Sequence, residues 1–197
     1  MLTEGIDMGV LYAATPKDRI RYPESRDIVR MVTHMQMQGR RIALHVCGKT
    51  ARDELLNGEL IFLTDRVQRI QVNGILDAEY VRTVCRMHWE KTIIVQANEK
   101  NLRLRDITEL NLSMLVDASG GRGVSPEEWI RPDTEMPVGF AGGLGPHNIA
   151  TELPRIIDVA TGDWWIDMEG QIRSDDDQFD VLKAIEVVRI AKEVFGS

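Results

Sequence analysis

Asp117 is the residue of this sequence best placed to move a proton. It ends an otherwise apolar strand, Met114 to Val116. A carboxyl group in that setting is costly to ionise unless solvated or paired, which suits it to general-acid work. Two glycine runs accompany it. Gly120-Gly121-Arg122-Gly123 follows directly, and a second buried strand, Val138 to Ala141, ends in Gly142-Gly143-Leu144-Gly145. Glycines at strand ends let backbone N–H groups approach an anion such as phosphate. A plainer reading also stands: Asp117 caps its own turn, and the glycines serve tight turns.

Cys47 ends a strand of its own, in His45-Val46-Cys47-Gly48. The two-residue period of a strand puts Ala43, His45 and Cys47 on one face and Ile42, Leu44 and Val46 on the other. A thiolate near an imidazole is a competent base, whereas a buried cysteine is simply inert. Gln71, Asn73, Gln96 and Asn98 alternate on inward-facing positions of two further strands. They line a polar pocket or satisfy one another internally. Asp167 sits at the end of the last strand. No metal site is expected. Asp175, Asp176 and Asp177 are adjacent and cannot all face one ion, and His34, His88 and His147 lack ligand spacing.

The elements that position these residues alternate along the chain. Strands are predicted over Met8 to Ala14, Arg41 to Cys47, Val67 to Val72, Thr92 to Ala97, Ser113 to Val116, Val138 to Ala141 and Trp164 to Met168. Helices are predicted from Ser25 (as cap) to about Gln38, Thr50 to Asn57, Asp77 to His88, Leu104 to Leu110, around Trp129, Asn148 to Ala160 and Phe179 to Phe195. The last helix shows Val181, Leu182, Ile185, Val188 and Ala191 on one face. This alternation argues for βαβ units and a parallel sheet. In a parallel barrel all strand ends lie on one rim, where active sites are built. Asp117, Cys47, Gln71, Asn73, Gln96 and Asp167 are therefore expected on one cavity at that rim.

With 197 residues the chain suits a single domain, residues 1–197. A net charge of -7 offers no basic surface to nucleic acid or an anionic membrane. No apolar run is long enough to span a bilayer, and Glu4 and Asp7 interrupt any signal-like start. A cytoplasmic setting with free thiols is expected.

The D-x-S-G-G-x-G run at Asp117, the tryptophan a few residues on and the A-G-G-L at Ala141 resemble phosphoribosylanthranilate isomerase, a tryptophan-pathway enzyme. Gly9-Val10-Leu11-Tyr12, leading to Pro16-Lys17-Asp18 and Arg21-Tyr22, resembles that family's second strand and loop. Gln71-Val72-Asn73-Gly74 is similar to its Q-L-H-G. Ile166-Asp167-Met168-Glu169-Gly170 stands where it has V-D-V-S-S-G. The resemblance implies a TIM-type parallel (β/α) barrel with seven recognisable strands. It implies Asp117 as the acid that protonates the ribose ring oxygen, and Arg21, or Arg19 close by, as the residue binding the anthranilate carboxylate. Gln71, Asn73, Gly120, Gly121, Gly142, Gly143, Asp167 and Gly170 would contact substrate. No cofactor is needed. The family's first strand, K-I-C-G with its base cysteine, has no counterpart before Met8, which leaves the base open, with Cys47 as the candidate substitute. Met168-Glu169 replaces small serines at the phosphate, where Arg173 or Arg122 would have to neutralise the carboxylate.

The implied partner is a phosphorylated sugar, rearranged by Amadori chemistry. Another sugar-phosphate reaction on the same scaffold, or a non-catalytic binding or assembly barrel, are the alternatives. A missing strand leaves two open edges, so Met1 to Ile6 or a neighbouring copy of the chain is expected to cover them.

Overall fold

The computed structural model describes residues 5–15, 20–98, 100–118 and 123–196. Gly120, Gly121 and Arg122, the stretch Pro16 to Arg19, and Met1 to Glu4 lie outside these. The chain divides into two compact units, Gly5–Ser113 and the part from Met114 onward.

In the N-terminal unit β1 (Asp7–Tyr12), β2 (Arg41–Val46), β3 (Arg69–Val72) and β4 (Thr92–Gln96) run parallel, each beside the next in chain order. Between them lie α1 (Ser25–Met37), α2 (Lys49–Leu56), the short α3 (Ile61–Thr64) and α4 (Ala78–Met87). Ile42, Leu44, Val46, Ile70, Val72, Ile93 and Val95 are buried, as are Ile28 and Val32 of α1 and Val81 and Val84 of α4. Each such side chain contributes about 1.5–3 kcal/mol by leaving water. At the opposite end of the strands, Asp7 pairs with Arg41 at 2.9 Å and Arg69 at 2.8 Å, tying the starts of β1, β2 and β3 together.

In the C-terminal unit β5 (Leu112–Asp117), β6 (Val138–Ala141) and β7 (Trp164–Asp167) are again parallel and in chain order. The helices α5 (Ile149–Val159) and α6 (Val181–Gly196) complete it. Its core is one cluster of Trp129, Val138, Phe140, Leu144, Ile149, Leu153, Ile156 and Val187. Among the described residues there are seven strands, the number expected from the alternation.

Four local expectations are corrected. No helix forms around Trp129. Pro126, Pro132 and Pro137 break the segment, and Trp129 serves as a core side chain, edge-on to Phe140 at 6.1 Å. The helix expected over Leu104 to Leu110 is a 3-10 turn, Leu102–Asp106. Ser25 is the first residue of α1 and makes no cap, since Glu24 occupies that position. On α6 the buried residue is Val187, while Val181, Leu182 and Ile185 are exposed. Apolar residues run nearly all round that helix, so periodicity could not choose its inner face.

Candidate functional site

Each unit gathers polar groups at the C-terminal ends of its strands. In the N-terminal unit His45 pairs in register with Gln71, so both point to the same side of the sheet. Both are almost fully buried. One step further along, Cys47 and Asn73 follow the same alternation. The Asn73 amide (Nδ2) donates to Cys47 Sγ at 3.5 Å, and Gln71 Nε2 donates to Asn73 Oδ1 at 2.9 Å. The thiol in turn lies 3.8 Å from the carbonyl oxygen of His45, to which it can donate. The structure thus brings Cys47, Gln71 and Asn73 into one hydrogen-bonded chain, with His45 a layer below. Gly9 leaves room there, since a Cβ on it would sit 3.6 Å from His45 Nε2.

The other polar residues of these strand ends have structural duties. Asn98 accepts from the backbone N–H of Lys100 and Asn101, closing a turn. Gln96 is half-buried and engaged. Asn101, fully buried, donates to the carbonyls of Gly74 and Gln96 and accepts from Leu76 N–H. It welds the loops after β3 and β4. Arg21 lies half-buried in the turn before α1, also engaged.

In the C-terminal unit Asp117, Ala141 and Asp167 stand in register across β5, β6 and β7. Both carboxylates are half-buried and share a face, with the small Ala141 between them. Two strand spacings put their backbones about 10 Å apart. One layer below, Leu115, Gly139 and Trp165 share the same face. A Cβ at Gly139 would collide with the Trp165 indole and with Leu115 at 2.7 Å, so the indole lies flat over that glycine. Trp165 is half-buried, one layer from the two carboxylates on the same face. Trp164 points the other way and packs on Phe195, ring centres 5.8 Å apart.

The glycine loop after β6 is held rigidly. Gly142 and Gly143 have φ of 140° and 62°, outside the range most side chains accept. A Cβ on Gly143 would meet the Val124 carbonyl carbon at 2.5 Å, so the backbone of 124–125 rests directly on it. Asn148 pins the assembly. It accepts from Gly145 N–H at 2.9 Å and donates to Ser125 Oγ at 2.7 Å and the Gly143 carbonyl at 3.0 Å. Gln171, just after Gly170, donates to the Gly123 carbonyl at 3.0 Å. Gly170 itself is exposed and opens a 3-10 turn, Gly170–Ile172. Arg173 is committed to Asp177, Nε to Oδ1 at 2.7 Å, so its charge serves its own loop before it serves Glu169. Asp176 accepts from Ser174, and Asp175 is exposed.

Sequence reasoning missed Asn101 and Asn148, whose partners are loops distant in the chain. It missed the orientation of Trp165, although its place two residues before Asp167 carries that signal. It also passed over Arg52, which bonds the Asn73 carbonyl. Among the described residues no group of three or more His, Cys, Asp or Glu is gathered to hold a metal ion, and no helix is long and apolar enough to cross a membrane.

No protein-family model matches the chain, and no curated protein matches it. Among solved structures it is similar to the crystal structure of phosphoribosyl anthranilate isomerase from Thermus thermophilus. The TM-score is 0.64 at 16% identity, over 95% of this chain and 87% of that one. At that identity the likeness speaks for the fold, a TIM-type (β/α) barrel of seven parallel strands.

Proposed function

We propose that this barrel is an acid–base isomerase of a phosphorylated ribosylamine or a close analogue, working by Amadori rearrangement. The observation that carries the reading is that each unit presents one proton-transfer group at its C-terminal strand ends. Asp117 ends β5, and the Cys47 thiol, held by Asn73, follows β2. Asp117 would protonate the ring oxygen of the ribosylamine, breaking the C1–O bond as the nitrogen lone pair forms an iminium. Cys47 as thiolate would then take the C2 proton. The C–H electrons form an enolamine, which tautomerises to the ketone. The reaction is an internal redox exchange between C1 and C2, so no external oxidant enters.

Two features support altered specificity. Glu169 stands where the resembling family has a small residue, and the Gly145 amide is already spent on Asn148. Spending the Gly145 amide weakens phosphate recognition at the glycine loop. Both features also favour a second reading, a barrel that binds a related ligand without turning it over. The test is a coupled assay on phosphoribosylanthranilate with the native chain, Asp117→Asn and Cys47→Ala. The expected result is slow turnover, reduced about 10²- to 10⁴-fold by either change, as for loss of a general acid or base. Turnover untouched by both substitutions would sink the assignment. No turnover, with ribose 5-phosphate still raising the melting temperature, would favour the binding barrel.

A further inference from the structure

The geometry points to Arg52 as an oxyanion anchor at the rim of this site, receiving a carboxylate or phosphate group of the ligand. The inference rests on the reading that the C-terminal strand ends form the ligand site, and it names the group held there. Arg52 belongs to α2, yet its guanidinium reaches across to the end of β3. Nη1 donates to the Asn73 carbonyl at 2.8 Å, on the same residue whose amide donates to Cys47. The cation lies over Gly74, whose φ is +115°. A Cβ at that position would overlap Nη1 and stand 3.2 Å from Cζ. The glycine is therefore what admits the arginine to the rim.

The charge of Arg52 is not consumed by its neighbours. Asp53 is paired with Lys49 at 2.6 Å, and Glu54 accepts from the Tyr12 hydroxyl at 2.7 Å. The Asn73 carbonyl takes one N–H of five, and a carbonyl carries no net charge. Among the described residues no carboxylate is paired with Arg52, and a half-buried guanidinium left so is unusual, because desolvating a charge is costly unless it is paired. The remaining N–H groups of Arg52 can meet two oxygens of one oxyanion in parallel. The start of α2 adds to the field. Gly48 precedes it with φ of 89°, no side chain caps it and its first turn holds no acidic residue. Its exposed N–H groups therefore favour an anion close to Arg52.

The experiment titrates the full-length protein with two probes, ribose 5-phosphate and 2-aminobenzoate, read by calorimetry. The variants are Arg52→Lys and Arg52→Gln; glutamine removes the charge and keeps a side-chain N–H donor. At least one probe should bind the native chain. Its affinity should fall about ten- to a hundredfold in Arg52→Gln, and less in Arg52→Lys, which keeps the charge but loses the parallel donors. Which probe responds identifies the anion as phosphate or carboxylate. Unchanged affinity in Arg52→Gln, or no binding of either probe to the native chain at millimolar concentration, overturns the proposal. The two readings fail separately. Arg52-dependent binding without turnover keeps the anchor and removes the isomerase. Turnover with a KM indifferent to Arg52 does the reverse.

Discussion

The two cysteines show how differently one side chain behaves in two settings. Cys85 is buried in α4, and burial, with Glu109 nearby, pushes its thiol up to about 12. Cys47 is half-exposed at a strand end, with the Asn73 amide directed at its sulfur. Iodoacetamide at neutral pH should therefore label Cys47 in the folded protein and spare Cys85, as peptide mass spectrometry will report. Asn73→Leu should slow that labelling several-fold, because an N–H donor to sulfur favours the nucleophilic thiolate. Equal labelling of both thiols, or a rate indifferent to Asn73, would remove Cys47 as a candidate base. Much of this chain was legible beforehand. Strand alternation alone placed His45, Cys47, Gln71 and Asn73 on one face. Arg52 was not, because its role depends on a glycine in the next βα loop, beyond the reach of any local pattern.

The elements were legible where apolar runs were short and bounded, as in β2, β4 and β6. They were misread where sequence alone allows two solutions. The connection from Gly123 to Pro137 is the clearest case. Its order comes from side chains: Trp129 Nε1 donates to the buried Glu152 at 2.8 Å, and Arg131 donates to the carbonyls of Pro132, Thr134 and Met136. Asn148 then locks this connection to the glycine loop. Asn148→Ala removes three hydrogen bonds and should lower stability by about 1–3 kcal/mol in urea melts. Gly143→Ala should do more, since the added carbon meets backbone and φ is positive. If both variants melt like the native chain, the loop is not the rigid cradle described.

Across the whole molecule, alkaline pH is the expected weakness. Burial raises Tyr12, Tyr80 and Cys85 above their ordinary values; Glu54 adds to this at Tyr12. The sign follows from linkage. An acid whose folded pKa is raised stabilises fully below its unfolded value, and that gain is lost as pH climbs toward the folded one. The urea midpoint should fall steadily between pH 9 and 12, the thiol's ordinary and folded values. Cys85→Ala should flatten the start of that fall, and a level native profile would refute it. Assembly is the other question at this scale. Among the described residues β1 and β7 are the end strands of the order, β1 paired with β2 and β7 with β6. If a second copy covers them, sedimentation will show a mass that rises with concentration; a monomer at every concentration would exclude it. The Asn73–Gly74 pair has a last consequence, for how the protein ages. Asparagine before glycine tends to lose its amide nitrogen by attack of the next backbone nitrogen on the side chain. At Asn73 both ends of the amide are held, by Gln71 and Cys47. At Asn57–Gly58, among the described residues, only the exposed Glu59 holds it. In stored samples the first deamidated peptide should carry Asn57, and the site should keep its amide long after the surface has begun to acquire new negative charge.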